Sequence, residues 1–104
     1  MYNYISGMTM RFVWDPVKAE SNERKHGVRF EEAALVFFDP LHLTVQDRIE
    51  GGEYRWQTIG SVSGAAILLV AHAYVAGGPE PMETIRIISA RRATPQERKR
   101  YANG

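Results

Sequence analysis

Seven residues carry side chains and spacings suited to proton transfer and anion binding: Lys25, His26, Glu53, Arg55, Arg91, Arg92 and Tyr101. A histidine at its ordinary pKa near 6.5 exchanges protons close to neutral pH. Planar guanidinium groups grip phosphate oxygens in a fork. Together they offer acid–base catalysis with charge stabilisation at a phosphate and need no metal.

Each of these residues also has a plainer reading. Lys25 and His26 close a predicted helix, where cations offset the negative end of the helix dipole. Glu53, Arg55 and Gln57 share one face of a predicted strand by its period of two, which is either an active face or simple solvent exposure. Arg91 and Arg92 are adjacent in extended chain and point oppositely, so one can clamp phosphate while the other pairs with an acid, or both are ordinary surface arginines. Tyr101 either supplies a phenol or stacking ring or anchors a terminal helix. His72 sits in the most apolar stretch, where a hydrogen-bonded core histidine is favoured over a catalytic one. Arg86 alternates with Ile85 and Ile87 and so leaves the core on the opposite face from them, and His42 carries no functional weight. The three histidines fall on different elements and no carboxylate cluster has ligand spacing, so neither a metal nor another cofactor is expected.

The chain has 104 residues, 44% of them hydrophobic and 24% charged, which excludes a wholly disordered protein. Cysteine is absent, which removes disulfide scaffolds, thiol nucleophiles and cysteine-held metals. The longest apolar run, Ala65–Ala71, is far too short for a membrane span. Met1–Met10 has no basic region followed by an apolar core, so a cytoplasmic protein is expected. The formal net charge is only +1, but it is unevenly placed. From Arg86 onward there are six basic residues against Glu97, a net of +5; residues 1–85 hold seven bases and eleven acids, a net of −4. That asymmetry can build a basic face on a near-neutral domain.

The elements that must position these residues follow from local signals. Met1–Met10 lacks periodicity and is expected as a disordered extension or leader, with the folded domain spanning residues 11–104. Arg11–Trp14 reads as a short strand. Asp15-Pro16 is a cap followed by a favoured first helical residue, and Gly27 is a natural stop, which predicts a helix from Pro16 to about His26. Phe30–Phe38 predicts a second helix, broken by Asp39-Pro40. Strands are expected at Leu41–Val45, Tyr54–Val62, Ala65–Val75 and Glu83–Ser89, with turns over Asp47–Gly52, at Ser63-Gly64 and over Gly77–Pro81. Thr94, Pro95 and Glu97 form a capping-box pattern for a last helix ending near Ala102. The predicted order, β-α-α-β-β-β-β-α, gives a small single α+β domain in which an antiparallel meander packs against two N-terminal helices.

Several segments in one order resemble a known family: Phe12–Pro16 (FVWDP), Asn22–Val28 (NERKHGV), Phe30–Ala34 (FEEAA), Val36–Pro40 (VFFDP), Gly52–Trp56 (GEYRW) with Ile59-Gly60, and Ile85–Thr94 (IRIISARRAT) followed by Glu97-Arg98 and Tyr101. Over residues 11–101 the chain resembles BrnT-type toxins of type II toxin–antitoxin pairs. It departs from their pattern at Ile49, where a polar residue is expected, and in a longer loop over Ala76–Glu83. The resemblance implies a RelE-like fold and a metal-independent endoribonuclease that cleaves RNA and inhibits translation. On that reading His26, Arg55, Arg91 and Arg92 are catalytic, and Lys25, Glu53 and Tyr101 bind RNA. It also implies a cognate BrnA-like antitoxin, a dimeric ribbon–helix–helix protein that joins two toxin chains in a 2:2 assembly and alone contacts operator DNA. The alternatives are a catalytically decayed antitoxin partner and a non-enzymatic RNA-binding protein.

Overall fold

A computed structural model describes residues 3–6, 10–78 and 82–104. Its frame is a six-stranded sheet in the order β1-β2-β6-β5-β4-β3. The strands are β1 (Asn3–Ser6), β2 (Met10–Trp14), β3 (Leu43–Glu50), β4 (Glu53–Val62), β5 (Ala66–Val75) and β6 (Glu83–Arg92). The helices are α1 (Pro16–His26), α2 (Phe30–Ala34) and α3 (Pro95–Asn103), with a 3₁₀ turn at Leu35–Phe38. The element order is therefore the predicted one, preceded by an extra strand. β3 to β6 form the expected antiparallel meander. β2 joins it alongside β6, running parallel, and β1 pairs antiparallel with β2.

Three expectations need correction. Asn3–Ser6 is a strand and Met10 opens β2, so the predicted disordered extension does not hold at those positions; residues 1–2 and 7–9 of it lie outside the described residues. The helix predicted over Phe30–Phe38 tightens after Ala34 into the 3₁₀ turn. Close approach to β4 accompanies that change: a Cβ on Gly60 would stand 2.9 Å from Val36 Cγ1. The strand predicted to stop at Val45 runs on to Glu50, through a bulge between Gln46 and Ile49. Cross-strand pairing with β4 carries this polar stretch, and the turn shrinks to Gly51-Gly52, both with positive φ.

Local signals set the ends of α1. The Asp15 side chain accepts from Val17 N at 2.9 Å, and Gly27 adopts φ 69°. What docks the helix is a polar group, because α1 has little apolar surface to bury. Asn22, its one buried residue, donates through Nδ2 to the carbonyls of Val28 (3.0 Å) and Ala90 (2.8 Å), and its Oδ1 accepts from Ala90 N at 3.1 Å. β2 pairs with β6 only as far as Arg86. Past that point the Asn22 amide takes the place of a neighbouring strand for Ala90.

The main core lies between one face of the sheet and α2 with the 3₁₀ turn. Phe12, Trp14, Phe30, Val36, Phe37, Val70, Ile85 and Ile87 are its large members. His72 is wholly buried within it, as expected of a core histidine. Its Nε2 lies 2.7 Å from Thr58 Oγ1, which lies 2.7 Å from Thr44 Oγ1, and Phe37 meets its ring edge-on at 4.9 Å. A smaller cluster of Ile59, Leu69 and Ala93, flanked by Leu43, Ile67 and Tyr101, lies on the opposite face beneath α3.

Two outcomes follow from these buried groups. Asn22→Ala leaves the Ala90 N–H and two carbonyls without partners, which destabilises the fold by about 3 kcal/mol, read as a lower urea midpoint. Burial pushes the His72 pKa down to about 4, so at pH 7 the side chain is neutral in the fold. Between pH 6.5 and 4 the unfolded chain binds a proton that the folded chain refuses. Stability is therefore lost on acidification across that window, by about 3 kcal/mol at the lower end. Urea titrations of wild type and His72→Gln at pH 7 and pH 5 measure it, and the variant flattens the slope.

Candidate functional site: the open sheet face and the α1–β6 cleft

Strand register sorts the remaining chemistry onto two unlike faces. Leu68, Val70 and His72 of β5 turn toward the helices α2 and the 3₁₀ turn. Leu69, Ala71 and Ala73 turn the other way, where α3 covers only one end. On this second face Leu69 lies between Ile59 and Arg91, Ala71 between Gln57 and Ser89, and Ala73 beside Arg86. One step along the register from the Trp56–His72 pair, Arg55 falls on the other side of Ala73. Small side chains thus form a floor flanked by arginines.

Glu53 joins those arginines. Its Oε1 accepts from Arg86 Nη2 at 2.6 Å and from Arg55 Nε at 3.1 Å, and its Oε2 accepts from Arg86 Nη1 at 3.1 Å. Arg55 Nη1 also stands 3.2 Å from Glu50 Oε2. The hydrogen bonds from Arg86, helped by the charges of both guanidinium groups and opposed by burial, hold the Glu53 carboxyl below its usual range. Glu53 is therefore an ionised clamp that fixes two cations in position.

Arg86 also reaches a cleft. Asp15, Lys18, Arg86, Ile87 and Ile88 line a hollow of about 180 Å³ between α1 and β6. An adjoining hollow of about 200 Å³ is lined by Lys18, Ser21, Asn22, Lys25, His26, Ile88 and Ser89. Residues 18, 21, 22 and 25 form one helical stripe. A bulge opens β6 at the same place: Ala71 pairs with Ser89 and His72 with Ile87, leaving Ile88 unmatched. Such bulges re-aim side chains beside functional sites. The cleft collects Lys18, Lys25, His26 and Arg86 against one acid, Asp15.

The structure brings Lys25 and His26 into this cleft and connects them through Arg86 to Glu53 and Arg55. The remaining predicted residues stand apart. Arg91 shares the open face but is engaged by Glu97, through Nη1 at 2.8 Å and Nη2 at 3.0 Å. Thr94 N adds a third bond to Glu97 at 2.9 Å. The Arg91 hydrogen bond, with the Thr94 contacts and the Arg91 charge behind it and burial opposing, pushes the Glu97 pKa down to about 2. Arg91 thus fills the acid-pairing role, tying α3 to the sheet. Arg92 pairs with Leu68 in the register, so its exposed side chain belongs to the other face, away from Arg55. Tyr101 donates to Asp39 Oδ2 at 2.6 Å, and the same oxygen accepts from Ser61 N at 2.8 Å. That is the anchoring role, outside the cleft.

Arg86 and Lys18 are the two residues of this arrangement that the motifs did not single out. The signal for Lys18 was the helical spacing that puts it over Asn22 and Lys25. For Arg86 it was strand alternation, which already placed it on the face away from the core. Among the described residues no group of three or more His, Asp or Glu side chains gathers as a metal site, and no helix is long and apolar enough to cross a membrane.

A small α+β domain sets arginines across a sheet face that α3 covers at one end only, with a lysine- and histidine-lined cleft beside it, which concentrates positive charge on one side of the molecule. A sequence model of the family described as "Ribonuclease toxin, BrnT, of type II toxin-antitoxin system" matches residues 14–97. The chain belongs to that family. It is also similar to the crystal structure of the Brucella abortus ribonuclease toxin BrnT, with 26% sequence identity and a TM-score of 0.57 over 83% of this chain and 99% of that one. No curated protein matches the sequence. The matched span contains every residue of the cleft and the arginine network.

The tie between Arg91 and Glu97 has a measurable signature. Because the folded pKa of Glu97 is depressed, its stabilising contribution is present above about pH 4.5 and is lost as pH falls toward 2. Glu97→Gln lowers stability at pH 7 on the order of 1 kcal/mol, since the pair is partly solvated. In thermal melts the gap between variant and wild type closes as pH drops below 4.5.

Proposed function

We propose that this chain cleaves RNA, without a metal, in the cleft between α1 and β6, and that translation stops as a result. The observation that carries the reading is Arg86: it lines the cleft beside Lys18 while Glu53 holds its guanidinium and that of Arg55 in place. In the proposed reaction the ribose 2′-oxygen attacks phosphorus, the bond from phosphorus to the 5′-oxygen breaks, and a 2′,3′-cyclic phosphate and a 5′-hydroxyl result. One proton leaves the 2′-oxygen and one is gained by the 5′-oxygen; His26 carries out one of these transfers and water the other. Arg86, with Arg55 behind it, stabilises the charge that builds on the phosphate, and Lys18 and Lys25 hold the flanking backbone. Glu53, kept ionised between two arginines, orients them. Arg91 acts indirectly by holding α3, and Arg92 and Tyr101 lie outside this assignment.

The family membership brings an antitoxin partner with it. We infer that it is a BrnA-like ribbon–helix–helix dimer that joins two copies of this chain, contacts operator DNA itself and keeps the toxin silent in the cytoplasm. The parallel pairing of β2 with the β6 end of the meander supports a RelE-like architecture.

Purified chain incubated with RNA in excess EDTA is expected to yield fragments ending in cyclic phosphate. Arg86→Gln, His26→Ala and the Lys18→Ala/Lys25→Ala pair each slow cleavage on the order of 100-fold, with unchanged circular dichroism. Folded wild type that leaves RNA intact, or an Arg86→Gln variant as fast as wild type, overturns the assignment.

A further inference from the structure

We propose that the trough between the 3₁₀ turn and α3 is the docking surface for an acidic, amphipathic segment of the antitoxin, a statement that rests on the toxin–antitoxin reading above. Leu35, Phe38, Asp39, Pro40, Ser61 and Tyr101 line its larger part, about 460 Å³. A second part of about 270 Å³ continues it past Pro40 and Tyr101 to Leu41, Leu43 and Ala102. None of these residues lines the α1–β6 cleft.

Two independent features select the occupant. The first is apolar exposure along one short stretch: Leu35 is 45% exposed, Phe38 49% and Leu41 69%. Three large apolar side chains left in water within seven residues, beside a hollow large enough for several more, mark an interaction surface. The polar group on the trough floor makes no demand on a ligand, because the Asp39 carboxylate is already satisfied by Tyr101, Ser61 and Leu41. The second feature is charge. α3 carries Arg98, Lys99 and Arg100, and among the described residues no acid pairs with any of them. Glu97, the helix's acid, is committed to Arg91. Arg98 stands one turn before Ala102, which lines the trough, and donates to the Ala93 carbonyl at 3.3 Å. An apolar strip beside a helix whose cations no acid neutralises among the described residues fits a segment with apolar side chains on one edge and carboxylates on the other, the arrangement of a helix laid in a groove. RNA would satisfy the cations but leave the leucines exposed to water.

The test is binding of the antitoxin encoded beside this chain, titrated against wild type and two surface variants. Leu35→Glu/Leu41→Glu and Arg98→Glu/Lys99→Glu are each expected to weaken binding by about 30-fold or more. The second pair also flattens the salt dependence between about 50 and 200 mM. Both variants keep circular dichroism and retain RNA cleavage within about 2-fold of wild type. The cleft variant Arg86→Gln keeps full antitoxin affinity. Unchanged affinity in both trough variants overturns the docking surface and leaves the partner reading standing. So does loss of affinity in Arg86→Gln alone, which moves the partner to the cleft, and so do trough variants that bind the antitoxin normally but lose RNA. A wild-type chain that captures no antitoxin overturns the partner reading and the docking surface together.

Discussion

The three hydrogen bonds of Asn22 are the constraint on which the rest of this architecture depends. A sheet edge that ends its strand pairing at Arg86 must satisfy the following backbone groups by some other means, since buried N–H and C=O groups without partners are strongly unfavourable. A mostly polar helix has no apolar stripe with which to cover that edge. One buried amide resolves both problems. It gives Ala90 a donor and an acceptor and joins the loop at Val28 to the same point. The rotation of α1 is then fixed, and Lys18, Ser21 and Lys25, on the same stripe as Asn22, come to lie along β6. The cleft exists because the helix docks through a side chain set within its polar face.

The arginine network is easier to understand as positioning than as stability. Partly solvated ion pairs contribute little to folding free energy, and Glu53, Arg55 and Arg86 are all partly exposed. What Glu53 supplies is geometry. It takes one N–H from each terminal nitrogen of Arg86, and a guanidinium has five. Three donors remain beyond those Glu53 takes, already oriented and without the rotamer entropy that a free arginine would lose on binding a ligand. A site assembled this way needs little rearrangement when charge develops on its ligand.

Much of this was readable in the chain before its coordinates were known, and the reasons are local. The caps at Asp15, Gly27 and Thr94 and the Ser63-Gly64 turn are decided by neighbouring residues, so sequence patterns suffice for them. The strand nature of residues 46–50 was not readable, because pairing with β4 overrides a run of charged residues that by itself suggests a turn. Asn22 reads as an ordinary exposed helix residue until β6 is placed beside it. Arg91 and Arg92 were expected to diverge, but which of them shares a face with Arg55 depends on pairing across β5, and the bulge at Ile88 shifts that count by one. Arg86 was placed on the correct face by alternation alone. Its importance appears only when Glu53, thirty-three residues away, closes on it.

α3 shows how a weakly held element can border two surfaces. It buries no residue completely. Its attachments include the Arg91–Glu97 pair, the Tyr101–Asp39 bond, the Arg98–Ala93 bond and the edge of a cluster with three buried members among the described residues. Elements with so few buried apolar contacts sit at the low end of the local stability scale and open before the main core does. Yet Glu97 on this helix holds an arginine of the open face, while Tyr101, one turn further on, walls the trough. Whatever presses on the trough side of α3 therefore bears on the same short helix that fixes Arg91. The central strands beneath it are covered on their far side by the core of Phe12, Trp14 and Phe30, burial that α3 lacks.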